Sequence, residues 1–374
     1  MEEFGAIRQH VFEKEVEMEI FLKKEYFAFG EDLFIRNKSI SAMLIKYDTG
    51  ICGIKLSNQH GYIIVLPYNG QMIWDAVFHG RSLKMETPFN HPKDVNSFLD
   101  TYGCYLMHCG ALTMGCPGPD DDHPQHGELP YVKYDSASVI AGEDEKGEYI
   151  GVTGIYEYNR AFADHYTFSP VVKLYSDNTI IDVAIKIENQ SYNQMEMMYM
   201  CHINNKPVSG GRILQTVPWT KEHMELRYSL PKTVQANEGF KDFLGRIQHD
   251  IRITEYMNED DVYDPEIVFF IHDPKTDKQG WAHYMYMHPD GSADYTGYKP
   301  GELDHCARWI VRTKNKQALG LALPATADAE GYKVEKRKGN IKIIPPKGKF
   351  ETSFQVGYLD NTKAAVMKKR ISQV

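Results

Sequence analysis

The sequence predicts an all-β fold, either a sandwich or a large barrel. Apolar stretches of strand length follow one another from residue 26 to near the C-terminus, separated by turn sequences such as Asp-Thr-Gly and Tyr-Asn-Gly. Aromatic residues, mostly tyrosine, make up 12% of the chain, and they favour strands. Long amphipathic helices are almost absent, and no fixed internal period indicates a repeat protein. Short strands joined by tight turns are typical of a sandwich or barrel.

The strand-like stretches can be followed in order along the chain. The first group, residues 26–85, contains DLFIRN, AMLIKYDTG, CGIKLSNQHG, YIIVLPYNG and MIWDAVFHGRSLKM. A polar linker at 86–96 and a short helix around 97–101 lead to a second group: KYDSASVIAGED, EYIGVTGIYEYN, YTFSPVVKLYSDN, TIIDVAIKIENQS and QMEMMYMCHINNKPV. Residues 205–265 are less regular, with a helix expected near GFKDFLGRI. The last group is EIVFFIHD, WAHYMYMHPDG, CARWIVRT, ALGLALPAT, NIKIIPPKG and FETSFQVGYLD.

Domain organisation follows from this pattern. The regular succession of strand-length stretches predicts a single domain at residues 26–374, because all-β domains often contain more than about 200 residues. Residues 1–25 are predicted to be an N-terminal extension, and their mixture of apolar and charged positions fits either a helix or a preceding strand.

Composition limits the classes of partner. The formal net charge is −9, and no stripe of Lys or Arg rises above the acidic background, which argues against nucleic acid. Hydrophobic residues make up 42% and charged residues 25%, as in globular proteins. A small molecule is the expected partner, and the sequence leaves the oligomeric state open.

The cysteines and the N-terminus indicate a cellular compartment. Six cysteines occur without a CxxC pair, in a chain long enough to fold without disulfides, so we expect them to be reduced. The start is acidic and lacks the features of a secretory signal. No apolar run approaches the ~18 residues that a membrane-spanning helix needs. We therefore expect a cytoplasmic protein without membrane contact.

The densest group of titratable residues lies at 101–130, TYGCYLMHCGALTMGCPGPDDDHPQHGELP. A strand-like segment there leads into a Gly/Pro/Asp loop, and such junctions often carry functional sites. Its candidates are His108, His126 and Glu128. A second candidate is His202, which shares one face of a predicted strand with Asn204, by the alternation of side chains along strands. Motifs for nucleotide binding, serine hydrolase or zinc-protease chemistry are absent.

Three segments carry a resemblance to a known family. They are YGCYLMHCGALTMGCPGP followed by HGELP, IKIENQSYNQMEMMYMCHINNKPV, and ARWIVRTKNKQALGLALPATADAEGY. Their order and spacing resemble the galactose-mutarotase-like superfamily, in particular its branch of aldose 1-epimerase-like proteins often labelled as a domain of unknown function. The resemblance runs from about Asp75 to the C-terminus. It implies a β-supersandwich with a sugar site in the concave face of a large sheet.

The resemblance also implies residue roles. His126 matches the histidine of the HG motif that binds the sugar. His202, with Asn204 beside it, matches the general acid that protonates the ring oxygen. The family's general base is a glutamate before a proline near the C-terminus, but here Leu323 precedes Pro324. Mutarotation needs one acid, one base and no cofactor, so the usual mechanism is incomplete without another base.

Other carboxylates could supply that base. Candidates are Glu128, which stands where relatives often carry arginine, Asp304, and the loop aspartates at 120–122. Each also has a plain structural interpretation, since a turn glutamate or a row of aspartates is often only solvated.

Further residues are candidates for contacts with substrate. Arg308 is an unusual charge in an apolar stretch, and it either pairs with a buried carboxylate or binds substrate oxygen atoms. Trp309 could offer an aromatic face to a sugar ring. His108 could line the core or the cleft. The histidine spacing matches no recognised metal-ligand pattern, so no metal site is expected.

Two classes of function remain open from the sequence. The first is a mutarotase-like isomerase that acts by acid/base chemistry at the anomeric carbon of a sugar. The second is a non-catalytic carbohydrate-binding protein, for which Leu323 is the main argument. The polar group around His126 and His202 favours the enzyme, because a binding protein has little need for two histidines together with an acid.

Overall fold

The protein consists mainly of two large antiparallel sheets. The computed structural model describes residues 16–374 apart from 38, 229–235 and 237–238. The predicted all-β fold is confirmed. The strands that precede the long linker are β1 (Val16–Phe21), β2 (Gly30–Asn37), β3 (Ile40–Lys46), β4 (Cys52–Asn58), β5 (Gly61–Val65), β6 (Ile73–Phe78) and β7 (Arg81–Ser82).

The middle of the chain supplies nine strands of the described part, among them the long β10 and β11. They are β8 (Leu106–Ala111), β9 (Ser136–Asp144), β10 (Gly147–Asn159), β11 (His165–Tyr175), β12 (Ile180–Asn189), β13 (Met195–Ile203), β14 (Gly211–Gln215), β15 (Met224–Leu226) and β16 (Tyr256–Met257). The last strands are β17 (Ile267–Ile271), β18 (Ala282–Met287), β19 (Ala293–Tyr298), β20 (His305–Arg312), β21 (Gln317–Ala325), β22 (Lys342–Ile344) and β23 (Lys349–Leu359).

Strand order defines the two layers. In the described residues one sheet has ten strands in the order β1-β9-β10-β11-β12-β23-β19-β18-β14-β16. The other follows β15-β17-β20-β21-β13-β8-β6-β5-β4-β3-β2, with β22 beside β13 and β7 beside β6. We call the face of this second sheet that packs on the ten-stranded sheet its inner face, and the opposite face its outer face. Alternation along β13 and β8 sends successive side chains to these two faces.

Between residues 16 and 374, leaving aside the positions that are not described, three α-helices lie outside the sheets. They are α1 (Phe240–His249), α2 (Tyr332–Lys338) and α3 (Asn361–Ser372). Helix α1 matches the helix expected near GFKDFLGRI, while the one expected around 97–101 is a single 3-10 turn, Phe98–Asp100. None of the helices described is long and apolar enough to cross a membrane.

The N-terminal part of the chain contributes to the ten-stranded sheet. Residues 1–15 of the predicted extension lie outside the described residues. Strand β1, within the predicted extension, pairs antiparallel with β9. All six cysteines are unpaired thiols, and five of them are buried.

Candidate functional site

His202 lies on the outer face of the larger sheet. In the antiparallel register of β13 with β8, His202 stands opposite Met107, and Cys201 stands opposite His108. Residues opposite one another point to the same side, so His202 and His108 point to opposite sides. The His108 ring contacts Phe168 of the ten-stranded sheet, with ring centroids 5.2 Å apart, which identifies the inner face. His202 therefore faces away from the core between the sheets.

His126 is brought to His202 by a tightly bonded loop. Its backbone has φ of 61°, its N–H donates to the Gly115 carbonyl at 2.8 Å, and its carbonyl accepts from the Gly110 N–H at 3.0 Å. Gly127 follows with φ of 80°, and a Cβ there would lie 2.0 Å from the Thr113 carbonyl oxygen. Only glycine fits such a place. The imidazole centroids of His126 and His202 are 5.3 Å apart.

Aromatic rings enclose the two imidazoles. The Trp309 ring lies edge-on to His202 with centroids 5.2 Å apart, and Tyr102 is 6.0 Å from His202. Phe98 lies 5.7 Å from His126. We call these five residues, Phe98, Tyr102, His126, His202 and Trp309, the two-histidine cluster. Each has less than a tenth of its surface exposed.

Hydrogen bonds fix where the His202 proton resides. The Tyr102 hydroxyl donates to Asn204 Oδ1 at 3.1 Å, and the Asn204 amide nitrogen donates to the Cys104 carbonyl at 3.1 Å. The Tyr102 oxygen is then left to accept from His202 Nε2, 3.5 Å away. This arrangement puts the imidazole lone pair on Nδ1. Within the part of the chain that the structure describes, Nδ1 of His202 and Nδ1 of His126 are both buried without a hydrogen-bond partner.

Both imidazoles are held in the neutral form. Burial lowers the pKa of His126 to about 4, with smaller contributions from the Arg227 and His123 charges. Burial and the neighbouring His126 lower the pKa of His202 well below its usual range. Neutral imidazoles next to each other, each with a free nitrogen, can accept or relay a proton.

A carboxylate that the sequence did not single out lies beside the cluster. Glu266, the residue before β17, accepts a hydrogen bond from Trp309 Nε1 at 2.7 Å through Oε2. Its Oε1 is 4.0 Å from a terminal nitrogen of Arg227, and Nε of Arg227 is 3.8 Å from Glu330. The only sequence signal was an acidic residue at the start of the apolar stretch IVFFI, which alone does not indicate a site.

A second missed residue is Lys316. Its ammonium lies 5.0 Å from the centroid of the Tyr102 ring and 5.8 Å from that of Trp309. Burial lowers the pKa of this lysine. The cluster therefore borders both a carboxylate and an ammonium, and the Glu266 charge partly offsets the effect of burial on the lysine pKa.

Glu128 is not part of the cluster. Its Oε1 accepts from the N–H groups of Ala111 and Leu112, both at 2.9 Å, and from the Tyr166 hydroxyl at 2.6 Å. Burial raises the pKa of this carboxyl, and the hydrogen bonds partly offset the effect. Its oxygen holds the end of β8 rather than facing the imidazoles.

His108 and Arg308 point into the space between the sheets. His108 Nδ1 is bonded to the Tyr199 hydroxyl at 2.8 Å. Arg308 donates through Nε to the Leu321 carbonyl at 2.9 Å and through a terminal nitrogen to Gln215 of β14 at 2.6 Å. Of the two roles considered for Arg308, pairing with a buried carboxylate is not observed among the described residues, and contact with substrate oxygen atoms stays a prediction. Both side chains are fully buried.

Among the remaining base candidates, Asp121 and Asp304 have structural partners. Asp121 accepts backbone N–H bonds from Lys333 at 3.0 Å and Gly118 at 2.9 Å, which attaches the aspartate loop to the first turn of α2. Asp304 pairs with His305 and the Lys342 ammonium. Leu323 is buried in β21, opposite Ala307 of β20. The structure describes no group of three or more His, Cys, Asp or Glu side chains arranged to hold a metal ion.

The fold and a family-model match identify the class to which the protein belongs. The two-sheet architecture is that of galactose mutarotase-like proteins, as the resemblance implied. The chain belongs to the family described as Domain of unknown function (DUF4432), whose model matches residues 49–357. No curated protein sequence matches the chain.

Solved structures support the assignment of the fold. A protein from Klebsiella pneumoniae, provisionally described as an aldose 1-epimerase, superposes with a TM-score of 0.79 at 13% identity, covering 96% of this chain and 95% of that one. A galactose mutarotase-like protein from Clostridium acetobutylicum gives 0.58 at 13% identity, over 87% and 100%. One from Lactobacillus casei gives 0.50 at 11%, over 88% and 100%. At these identities the likeness establishes the fold.

Proposed function

We propose that the protein is an aldose 1-epimerase-like isomerase that interconverts the anomers of a sugar at the two-histidine cluster. The observation that carries the proposal is a pair of buried imidazoles with centroids 5.3 Å apart beside the Glu266 carboxylate, each with an Nδ1 that has no hydrogen-bond partner among the described residues. Acid/base exchange at an anomeric carbon needs a proton donor and a proton acceptor around one small ring. Aromatic walls such as Trp309 suit the apolar face of a sugar.

Each residue has a role in the proposed reaction. Glu266 takes the proton of the anomeric hydroxyl, while protonated His202 gives its proton to the ring oxygen as the bond between the anomeric carbon and that oxygen breaks. His126 holds a neighbouring hydroxyl. The open-chain aldehyde rotates, and closure on the other face returns one proton to His202 and the other from Glu266 to the anomeric oxygen. Glu266 thus replaces the base that is absent at Leu323.

The low pKa of His202 fits an acid role. Burial disfavours the imidazolium, so once formed it is a strong proton donor toward a weakly basic ring oxygen. The cost is that this form is rare in the unliganded protein at neutral pH. The reaction needs no cofactor, and the six unpaired thiols fit a cytoplasmic location.

Anomer exchange measured by NMR across a panel of aldoses tests the proposal. We expect at least one sugar to exchange faster with the wild-type protein than in buffer, and His202→Ala to remove the acceleration. If no sugar exchanges faster while one binds saturably, the protein is a carbohydrate-binding protein. The observation in favour of that second function is Leu323, an apolar side chain where the family's base is expected.

A further inference from the structure

Lys316 occupies a fixed position at the two-histidine cluster. It lies in the turn between β20 and β21, where the Thr313 N–H donates to the Lys316 carbonyl at 2.8 Å. The Thr313 hydroxyl oxygen accepts from the Lys316 N–H at 3.0 Å and from the Asn315 N–H at 3.2 Å. Because the turn is bonded from both sides, the start of the lysine side chain is held at the edge of the cluster.

The ammonium of Lys316 stands over the Tyr102 and Trp309 rings. Among the residues that the structure describes it makes no ion-pair contact, although the Glu266 carboxylate acts on it at longer range and opposes the effect of burial on its pKa. Arg227, the other cation near the cluster, faces both Glu266 and Glu330. Partly buried charges are usually paired, since loss of hydration is costly.

A ligand group can supply the missing partner. The rings beneath Lys316 also enclose His202, and the lysine charge acts on the His202 imidazole. A sugar seated against Trp309 and His202 would therefore carry one of its substituents to the ammonium. A hydroxyl there accepts a hydrogen bond from the ammonium, whereas a carboxylate accepts the same bond and also neutralises the partly buried charge.

We propose that Lys316 selects aldoses that carry a carboxylate, so that the substrate class is sugar acids rather than neutral hexoses. This inference rests on the proposed site of anomer exchange, and it assigns the specificity of that site. A carboxylate suits the geometry better than a phosphate, because one ammonium is present and Arg227 is already engaged by two carboxylates. Phosphate sites commonly use arginine in bidentate contacts or several backbone N–H groups.

Matched pairs of sugars test the specificity directly. Anomer exchange is measured by NMR for glucuronate against glucose and galacturonate against galactose, with glucose 6-phosphate as a third arm. We expect kcat/KM for each uronate to exceed that for its hexose by roughly tenfold or more, as one charge-assisted hydrogen bond allows. Lys316→Met should bring that ratio to near one, mainly through KM. Lys316→Arg should retain a ratio well above one.

A neighbouring lysine provides the control. Lys314 lies two residues away in the same turn and is exposed, so Lys314→Met should leave the ratio unchanged. Equal rates for uronates and hexoses in the wild type would overturn the inference, as would a ratio that Lys316→Met does not alter. A preference for the 6-phosphate would show that the anion is a phosphate and would refute the carboxylate assignment.

A binding measurement tests the selection of carboxylates independently of the proposed catalytic activity. If no sugar exchanges faster than in buffer, a change in tryptophan fluorescence that Trp309→Phe removes can report binding of the same compounds. Saturable binding of uronates that Lys316→Met weakens at least tenfold would support the selection of carboxylates in a protein without catalysis. Absence of uronate binding, or binding that Lys316→Met leaves unchanged, would reject it.

Discussion

Trp309 donates a hydrogen bond from its indole nitrogen to Glu266 at 2.7 Å, and the same ring meets His202 with centroids 5.2 Å apart. One side chain thus contacts both the proposed base and the proposed acid. The register of β17 with β20 places Trp309 opposite Val268, two residues after Glu266. Since Oε2 is held by the indole, the carboxylate has a defined orientation relative to the imidazole.

This relationship makes Glu266→Gln the sharpest test of the base. The amide oxygen can still accept from Trp309, so the geometry is kept while the proton acceptor is lost. We expect kcat for anomer exchange to fall by about 10²–10⁴-fold, the usual contribution of a positioned acid or base. Exchange rates measured by NMR at saturating sugar check this expected fall in kcat.

Glu330→Gln, which also removes a carboxylate near Arg227, is the control and should change kcat by far less. Equal losses in the two variants would point to Arg227 instead.

The contact between His126 and His202 predicts that the two do not act independently. His126→Gln and His202→Gln should each lower kcat/KM by about 10²-fold or more, and the double variant should lose much less than the product of the two. The double-mutant cycle is measured by the same exchange assay. His272→Asn, on a histidine paired with Glu225 outside the cluster, is the control. Fully multiplicative losses would contradict a coupled pair.

The low pKa of His202 predicts how exchange depends on pH. Because the active form carries a proton that the unliganded site seldom holds, kcat/KM should rise as pH falls from 8 toward 6, by up to tenfold per unit. A profile that increases toward alkaline pH would assign proton donation to another group.

The parts of the site that depend on local strand geometry could be predicted from the sequence, whereas the contacts between distant segments could not. Alternation in β13 placed His202 and Asn204 on one face, because the strand period is a local property. Glu266 reaches Trp309 across 43 residues through the pairing of β17 with β20, and a single sequence does not encode that register visibly. Glu128 resembled a turn residue, yet the close packing of Gly127 against Gly110 and Thr113 turns it inward.

Arg308 and Trp309, neighbours in β20, also show a placement of side chains that could not be predicted from the sequence. The two adjacent residues necessarily point to opposite sides of β20, so only one can reach the outer face. The sequence contains no signal for which one does, since a buried arginine and a site tryptophan are both unusual in an apolar stretch. The contact of Arg308 with Gln215 in the other sheet resolves the choice.

Glu128 should matter for stability rather than for exchange. Glu128→Ala leaves the N–H groups of Ala111 and Leu112 and the hydroxyl of Tyr166 without their acceptor, so the free energy of unfolding should fall by about 3 kcal/mol or more. Glu128→Gln keeps an oxygen acceptor and should lose less. Urea denaturation measures both, with the exposed Glu145→Ala expected within about 0.5 kcal/mol of wild type. A large loss of exchange in fully folded Glu128→Gln would restore the catalytic role.

His108 should make the fold sensitive to acid. Burial between the sheets lowers its pKa to about 3, whereas the unfolded chain has the ordinary value of 6.5. Below pH 6.5 the unfolded state therefore binds more protons than the native state, so stability is complete above that pH and falls as pH decreases toward 3. This one histidine should cost about 1 kcal/mol of unfolding free energy between pH 6 and pH 5. His108→Gln, which does not titrate, should reduce the acid-dependent loss of unfolding free energy by that amount, whatever the stability of the variant at pH 7.

Urea denaturation at pH 6 and pH 5 measures the loss of unfolding free energy in each protein. His249→Gln, on the exposed last turn of α1, should leave the loss as it is in the wild type. An identical loss in His108→Gln and wild type would show that His108 accepts a proton within the native fold.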